Sequence, residues 1–218
     1  MPEIVGVREA MSTATRKRMP LVESVAALHA VRRDEIVITT MAAAREWQKL
    51  GKHPLDFVYV PSSMGQATSL GLGMALARPD RKVIVCNGDG SMLMNLGSLV
   101  TITAQAPENL TVLLFDNGVY EITGAQPTLA APSLRRDHAA VDFAQLAHAC
   151  GFERVSVFDE IAAWQKNVRT IIDGPGPSFV HLHVEPVLDC GLIGFPGPSP
   201  ERARAFREHL NPAESRKT

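Results

Sequence analysis

The sequence has neither a long hydrophobic run nor an excess of charge of one sign. Its 218 residues contain 22 Lys and Arg against 23 Asp and Glu, and its longest apolar runs, such as residues 83–86, have only four residues. A membrane-spanning helix needs about 20 apolar residues, so none is predicted. Proteins that bind nucleic acid or membrane surfaces favour a basic excess, so we expect neither partner.

Cysteine is also scarce. Cys86, Cys150 and Cys190 are far apart in the chain and form no CxxC pair. This odd, scattered set excludes a disulfide framework and argues against a zinc or iron–sulfur site, and it indicates a reducing compartment. The N-terminal residues lack the apolar stretch of a signal peptide. We therefore expect a cytoplasmic protein.

Short apolar runs alternate with helical patterns along the chain. Strands are predicted at residues 35–40, 57–60, 82–86, 110–115, near 155 and at 179–184, and helices at 21–31, 42–50, 64–77, 91–105, 143–150, 161–172 and 201–210. This alternation predicts an α/β fold with a doubly wound, mostly parallel sheet and helices on both faces. We expect one domain at 19–210, between an N-terminal extension (1–18) and a C-terminal tail (211–218). Gly71 and Gly73 should let their helix pack closely on the sheet.

Two polar motifs follow two of the most apolar strands. GDGS at residues 88–91 comes right after the strand at 82–86, and DNGVY at residues 116–120 comes right after the strand at 110–115. The carboxyl ends of parallel strands meet at one edge of a sheet, where doubly wound folds bind their ligands. Either motif alone is also consistent with an ordinary tight turn.

The residue types in these motifs suit a magnesium ion that holds a diphosphate. Asp89 offers a carboxylate oxygen and Asn117 an amide oxygen, and Mg²⁺ completes its oxygen shell with phosphate and water. Gly88 and Gly90 are expected to let the backbone turn tightly and approach a ligand. The start of the helix near Ser91 favours a phosphate.

The spacing of the two motifs resembles that of thiamine-diphosphate enzymes, because 26 residues separate Gly90 from Asn117. The similarity extends to a known family. Segment 59–65 resembles the one that supports the pyrimidine ring of the cofactor in this superfamily, and segments 39–46, 94–99, 121–128 and 198–206 resemble phosphonopyruvate and sulfopyruvate decarboxylases. The resemblance begins near residue 20 and covers only the diphosphate-binding half of that family. In sulfopyruvate decarboxylases this half is a separate β subunit.

The resemblance implies thiamine diphosphate and Mg²⁺ as cofactors. The side chains of Asp89 and Asn117 and the carbonyl of Val119 would bind the metal. Met64 would hold the V shape of the cofactor, and backbone groups of Ser62 and Met64 would bind its pyrimidine ring. In full, the implied cofactor-binding residues are Thr39, Thr40, Ser62, Met64, Gly88, Asp89, Gly90, Ser91, Asn117, Val119 and Tyr120.

The implied activity is non-oxidative decarboxylation of a small 2-oxo acid. The chain has no room for the pyrimidine-binding domain, so we expect a separate partner subunit, in a hetero-oligomer, to supply the activating glutamate. Glu23, Glu35 and Glu46 are interpreted as solvated charges. Two alternatives stay open: a subunit of an acetolactate-synthase-like carboligase, and a non-catalytic regulatory subunit that retains the fold.

Four sites depart from the family pattern. Met41 and Ala125 stand where glycines are expected, and Ser62 stands where glycine is commoner. Residues 192–196 (LIGFP) replace a run that would contain arginine. The missing arginine argues against a phosphonate or sulfonate substrate. We hypothesise an apolar substrate pocket there, which faster turnover of sulfopyruvate than of every aryl or alkyl 2-oxo acid would contradict.

The sequence gives less specific expectations for three further polar residues, Arg45, His181 and His183. Arg45 is either an anion contact or a surface arginine of its helix. His181 and His183 alternate on the last strand and so share one of its faces, and we interpret both as structural residues that transfer no proton. The seven histidines of the chain show no HxxxH or HExxH spacing.

Overall fold

The computed structural model describes residues 17–58, 64–134, 140–187 and 197–210. Its helices are Leu21–Val31 (α1), Met41–Leu50 (α2), Ala67–Ala77 (α3), Asp89–Leu93 (α4), Gly97–Gln105 (α5), Phe143–Ala149 (α6), Ile161–Asp173 (α7) and Ser199–Leu210 (α8). Its strands are Ile36–Thr39 (β1), Asp56–Val58 (β2), Val83–Gly88 (β3), Leu110–Asp116 (β4), Val119–Tyr120 (β5), Gln126–Pro127 (β6), Arg154–Phe158 (β7) and Ser178–His183 (β8).

Six strands form a parallel sheet in the order β2-β1-β3-β4-β8-β7. From β1 the chain moves outward to β2, whereas from β3 it moves outward to β4 on the other side. The direction of winding therefore reverses between β1 and β3, and their carboxyl ends border the crevice where such sheets bind ligands. The register places Thr39 opposite Cys86 at that crevice.

Helices cover both faces of this sheet, because the strands bury side chains on both. Ile36 and Ile38 of β1 join the core beneath α3, α5 and α6, whereas Val37 joins the core beneath α1, α2 and α7. Trp47 of α2 and Trp164 of α7 are fully buried in the second core. The prediction of a doubly wound α/β fold is confirmed.

Three local predictions need correction. The helix predicted at 91–105 is two helices, α4 and α5, separated by a turn at residues 94–96. An antiparallel hairpin, β5 and β6, follows β4 and was not predicted. A Cβ atom on Gly71 would lie 2.2 Å from the side chain of Val85, so that glycine is required for packing, but Gly73 faces open space.

Parts of the sequence-based interpretation fall outside the described residues. They are most of the predicted extension, the end of the strand at 57–60, Ser62, Cys190, residues 192–196 and the tail at 211–218. Cys86 is buried, Cys150 is half-buried, and both are free thiols. Within the four described ranges, no helix is long and apolar enough to cross a membrane.

Candidate functional site

A cavity opens at the carboxyl ends of β1, β3 and β4, at the point where the winding reverses. Its lining residues are Leu21, Met41, Ala42, Ala43, Met64, Asn87, Gly88, Asp89, Gly90, Ser91, Phe115, Asn117, Val119, Tyr120, Glu121 and Thr123. Eight of the eleven predicted cofactor-binding residues belong to this lining. Of the other three, Thr39 and Thr40 are fully buried just before Met41 and do not line the cavity, and Ser62 is not described.

The two glycines of the GDGS motif serve different purposes. A Cβ atom on Gly88 would meet nothing within 4 Å, so the missing side chain leaves open space in the cavity. A Cβ atom on Gly90 would lie 2.4 Å from the ring of Tyr120, so that ring packs directly on the glycine. Gly88 has an ordinary φ of −98°. The backbone at Gly88 therefore does not need the conformational freedom of glycine, and its close approach to a ligand stays a prediction.

Met64 is held beside the cavity by the residue that follows it. Gly65 has a φ of +79°, and its N–H donates to the Ser91 hydroxyl at 2.9 Å. The side-chain amide of Asn95 donates to the Gly65 carbonyl at 2.8 Å. Both backbone polar groups of Gly65 are therefore hydrogen-bonded, which limits the positions that the adjoining Met64 can take.

Asp89 is a buried carboxylate for which the described residues supply no cationic partner. Its residue is 1% exposed, and the hydroxyl of Thr128 donates to its Oδ2 at 3.0 Å. Burial raises the pKa of Asp89 to about 7, and the nearby charge of Asp116 adds to the rise, which the Thr128 hydroxyl and backbone N–H groups oppose. A divalent cation would supply the missing charge.

Asp116, by contrast, has its charge partners within the chain. Nε2 of His181 lies 2.9 Å from its Oδ2, and Nδ1 of His183 lies 3.6 Å from the same atom. Burial alone would raise the pKa of Asp116, but the hydrogen bond and charge of His181, with Arg18 and His183, lower it below its usual value. Both histidines are buried, and their contacts with Asp116 agree with a structural role.

The side chains around Asp116 also offer oxygen and nitrogen atoms that lie close enough together to bind one metal ion. In the part of the chain that the structure describes, Asp116, His181 and His183 form the one group of His, Cys, Asp and Glu whose ligand atoms lie within 4.8 Å of one another. The predicted magnesium ligands are a different set, centred on Asp89 and Asn117. The two sets are adjacent in sequence, because Asp116 directly precedes Asn117.

Two hydrogen bonds orient the side-chain amide of Asn117. Its Oδ1 accepts from the N–H of Val119 at 2.9 Å, and its Nδ2 donates to Oε1 of Glu121 at 2.9 Å. Glu121 in turn pairs with Arg45 at 3.2 Å and accepts from the N–H of Val187. The amide oxygen keeps a second lone pair that a metal ion can use.

Of the two expectations for Arg45, the structure contradicts the surface arginine, while the contact with a ligand anion stays a prediction. It is 5% exposed and lies in ion pairs with Glu46 at 2.8 Å and with Glu121 at 3.2 Å. The prediction of a surface arginine is wrong, because α2 turns this side chain toward the loop after β4. Two carboxylates already neutralise its charge.

The interpretation of Glu23, Glu35 and Glu46 as solvated charges is right for one of the three. Glu23 is exposed, as predicted. Glu35 and Glu46 are each 3% exposed, and the prediction of solvated charges is wrong for both. Glu35 pairs with Arg169 of α7 at 2.7 Å. Long-range partners of this kind leave no mark on the local sequence.

The two positions where glycine was expected both have left-handed backbone. Met41 has a φ of 55° at the first residue of α2, and Ala125 has a φ of 60° in the β5–β6 hairpin. Glycine adopts this conformation without the penalty that a Cβ atom brings. The backbone geometry therefore explains why glycine fits both positions, and it shows that this chain keeps side chains there at a cost.

Sequence reasoning missed several residues that contact the site, three polar ones among them. Asn87 and Glu121 line the cavity, and Thr128 donates to Asp89. A signal for Asn87 existed, because it is a polar residue at the end of the apolar strand β3. Thr128 had none, since 39 positions separate it from Asp89.

The residues present fit a bound diphosphate and metal. Besides the buried carboxylate of Asp89 and the space at Gly88, the cavity is lined by Asn87, whose Nδ2 is buried without a partner among the described residues. Oγ1 of Thr39 and Oγ1 of Thr40, just before Met41 of the lining, are also buried without partners. Such atoms are normally bonded in folded proteins, and a polar ligand can supply what is missing.

Comparison with known proteins places these features in a family. The family model "Thiamine pyrophosphate enzyme, C-terminal TPP binding domain" matches residues 36–182. The chain is 41% identical over 173 residues to the phosphonopyruvate decarboxylase of Streptomyces viridochromogenes, covering 79% of this chain and 41% of that protein. It is 37% identical over 166 residues to sulfopyruvate decarboxylase subunit beta of Methanothermobacter thermautotrophicus, covering 76% of this chain and 82% of that subunit.

A solved structure shows the same fold. The thiamine diphosphate-dependent 4-hydroxybenzoylformate decarboxylase of Rhodococcus jostii RHA1 aligns with a TM-score of 0.61 and 19% sequence identity. The alignment covers 88% of this chain and 36% of that chain. Our chain therefore spans about two fifths of a phosphonopyruvate decarboxylase but most of a sulfopyruvate decarboxylase β subunit.

Proposed function

This chain belongs to the thiamine pyrophosphate enzymes, in which it is a C-terminal TPP-binding domain, and from that premise we propose that it is the β subunit of a two-component 2-oxo-acid decarboxylase. It would bind the diphosphate of the cofactor and a Mg²⁺ ion. The observation that carries the proposal is Asp89, a buried carboxylate with no cation partner among the described residues. It lies where a doubly wound sheet binds its ligand.

In this proposal the chain holds the cofactor by its diphosphate end. Asp89 and Asn117 bind Mg²⁺ through their side chains and Val119 through its carbonyl, while Gly88 leaves room for phosphate oxygens. The ring of Tyr120 closes the side next to Gly90. When bound, thiamine diphosphate supplies an electron sink for the carbon–carbon cleavage that releases carbon dioxide.

Other residues hold the proposed metal-binding and phosphate-binding groups in position. Thr128 donates to Asp89 and so holds the carboxylate in one orientation. Glu121 fixes the amide of Asn117, and Ser91 fixes the loop that carries Met64 through Gly65. These bonds reduce the reorganisation that binding requires.

We propose that a separate subunit with a pyrimidine-binding domain covers this site and supplies the activating glutamate. The name "subunit beta" of the sulfopyruvate decarboxylase relatives supports a partner. Glu121 is the one glutamate among the cavity-lining residues, and it is engaged by Arg45. Two exposed apolar side chains, here called the rim, adjoin residues of the site: Leu129, 72% exposed, follows Thr128, and Met94, 57% exposed, lies beside Gly65.

The decisive experiment titrates the chain with thiamine diphosphate and Mg²⁺ in a calorimeter, alone and mixed with the product of the adjacent gene. We expect turnover of 2-oxo acids to free aldehyde only in the mixture. Acetolactate from pyruvate would instead identify a carboligase, and cofactor binding without any turnover a regulatory subunit. Turnover by the chain alone would place the activating glutamate within it, with Glu121 the first residue to test.

Substrate class and location remain predictions from the sequence. We propose that aryl or alkyl 2-oxo acids are turned over faster than sulfopyruvate, because residues 192–196 lack the arginine of the family pattern. The scattered cysteines favour the cytoplasm. A panel of 2-oxo acids assayed with the two-subunit complex tests the first of these proposals.

The proposed interface has its own test. Leu129→Arg places a charge on the rim of the cavity, and we expect it to abolish co-purification with the partner while the chain stays folded. Val157→Arg is the matched control, since Val157 is 48% exposed on β7 at the far edge of the sheet. Equal loss of the partner in both variants would contradict an interface at the cavity rim.

A further inference from the structure

The side-chain amide of Asn87 is only partly hydrogen-bonded among the described residues. The residue is 1% exposed at the end of β3 and lines the cavity. Its Nδ2 has no hydrogen-bond partner among the described residues. A buried amide donor left without an acceptor costs free energy, so its presence calls for a partner that binds there.

The orientation of this amide follows from its neighbour. Oδ1 of Asn87 accepts from the N–H of Gly88 at 3.0 Å. The reverse orientation would turn the NH₂ group toward that N–H and place two donors against each other. The NH₂ group therefore points away from Gly88 in the folded chain, with two hydrogens to donate.

The surroundings of Asn87 indicate the chemistry of the missing acceptor. The unpartnered hydroxyls of Thr39 and Thr40 lie at the end of the neighbouring strand β1, where Thr39 is in register with Cys86. Of these three groups only Asn87 lines the cavity, next to Gly88 and Asp89, whereas Thr39 and Thr40 are buried outside the lining. A ligand with anionic oxygens in the cavity supplies the acceptor that Nδ2 of Asn87 lacks, whereas an apolar ligand would leave it unbonded.

We infer that Asn87 is a ligand-binding residue whose side-chain NH₂ donates to the diphosphate held in this cavity. The inference rests on the proposed function and adds a residue of this chain to the binding set. Asn87 acts there as a neutral donor, in a place where Asp89 and its metal supply the charges. No proton or electron moves in this step.

Two variants of Asn87 test the inference with inorganic pyrophosphate and Mg²⁺ as the probe, and with thiamine diphosphate and Mg²⁺ in a parallel titration. Asn87→Asp keeps the acceptor for Gly88 and removes both donors, and Asn87→Leu removes donors and acceptor at similar size. We expect each to weaken binding of both probes about tenfold or more.

Asn109→Leu is the matched control. Its Nδ2 already donates to three carbonyl oxygens at the opposite end of the sheet, those of Ala75, Arg78 and Arg81. We expect a lower thermal midpoint and unchanged affinity for pyrophosphate, measured well below that midpoint.

The results separate this inference from the proposed function. Wild-type affinity for both probes in both Asn87 variants would show that the NH₂ group does not bind the diphosphate and would overturn the inference alone. Failure of the parent chain to bind either probe, also with the partner present, would overturn the proposed function and the inference with it.

Discussion

The two ends of the parallel sheet treat buried polar groups differently. At the amino end, the amide of Asn109 donates to three carbonyls, and Glu35 pairs with Arg169 at 2.7 Å. At the carboxyl end, Asp89 has no cation partner and Asn87 no acceptor among the described residues. Three buried atoms near the amino end, Nε of Arg32, Oδ1 of Asp56 and Nε of Arg81, also have no hydrogen-bond partner among the described residues. What distinguishes the carboxyl end is that Asp89 and Asn87 line a cavity that a ligand can enter.

This difference follows from the topology. The connections that enter the amino ends of the strands run close over the sheet, and their carbonyls are available to Asn109. At the carboxyl ends the chain departs in opposite directions from β1 and β3, so no segment between them can supply partners. The crevice that results is where doubly wound sheets bind ligands, and under the proposed function the groups without partners are those that bind the diphosphate and the metal ion.

The largest expected effect comes from removing the charge of Asp89. Asp89→Asn should weaken Mg²⁺-dependent binding of thiamine diphosphate by more than about a hundredfold. The loss of a metal ligand costs more affinity than the loss of a residue that only hydrogen-bonds to such a ligand. The ligand-free chain should melt at a higher temperature, because an uncompensated buried carboxylate is removed. Calorimetry and thermal unfolding measure both.

Glu35→Gln is the control at the amino end. It breaks the pair with Arg169, so we expect lower stability and unchanged affinity. If Asp89→Asn bound thiamine diphosphate and Mg²⁺ with wild-type affinity, the proposal that this carboxylate is a metal ligand would be wrong. The proposed difference between the two ends of the sheet would then disappear.

The second prediction concerns pH. The pKa of Asp89 is raised to about 7 from 3.8, so this group must release a proton before it binds a metal at lower pH. Affinity for Mg²⁺ and pyrophosphate should fall by up to about tenfold for each pH unit below about 7. Asp89→Asn should show a flatter profile over the same range, measured by calorimetry.

The same shift has a consequence for stability. Between about pH 4 and 7 the folded chain holds a proton on Asp89 that the unfolded chain has lost, so the contribution of this group to the free energy of unfolding decreases as pH rises. A ligand-free Asp89→Asn variant should lack this decrease. An identical pH dependence in the two proteins would contradict the raised pKa.

A smaller effect is expected from the hydroxyl that holds Asp89. Thr128→Val removes the donor at 3.0 Å and keeps the shape of the side chain. We expect affinity for Mg²⁺ and pyrophosphate to fall about tenfold, which is typical for partners of metal ligands. Thr111→Val, which loses a bond with Ser178 at the amino end, should cost about 1 kcal/mol of stability and leave affinity unchanged.

The smallest effects should come from relieving left-handed backbone at each end. Met41 (φ 55°) lines the cavity, and Ala106 (φ 46°) ends α5 near the amino end of β4. Replacing either with glycine should raise the free energy of unfolding by about 1 kcal/mol or less. Only Met41→Gly should also change cofactor affinity, with a small decrease. Equal affinities in both variants would show that the Met41 side chain does not contact the ligand.

Much of the fold could be predicted because its signals are local. Buried strands such as β4 are continuous apolar runs, and α1 begins and ends where its helical pattern predicts. The break between α4 and α5 was missed, since both share one apolar pattern and the turn at residues 94–96 contains no glycine or proline. The short β5–β6 hairpin was missed as well, because two-residue strands carry no periodicity.

The candidate site could also be placed from the sequence, because its main residues follow strand ends. Asp89 and Asn117 come directly after β3 and β4, and a parallel sheet brings these ends together. The motif spacing, together with the resemblance to the decarboxylases, added the chemistry. The contacts of Thr128, Arg45 and Glu35 could not be predicted, since each partner comes from a distant part of the chain.

The sequence by itself determined the alternation of strands and helices, the two polar motifs at strand ends and the family to which the chain belongs. Only the tertiary structure decided which buried polar groups find hydrogen-bond or charge partners within the chain. Asp89 and Asp116 are both acidic residues at strand ends, yet only Asp116 meets histidines from β8. The physical reason is that the pKa of a buried group depends on burial and on charges within a few ångströms, which folding brings from anywhere in the chain.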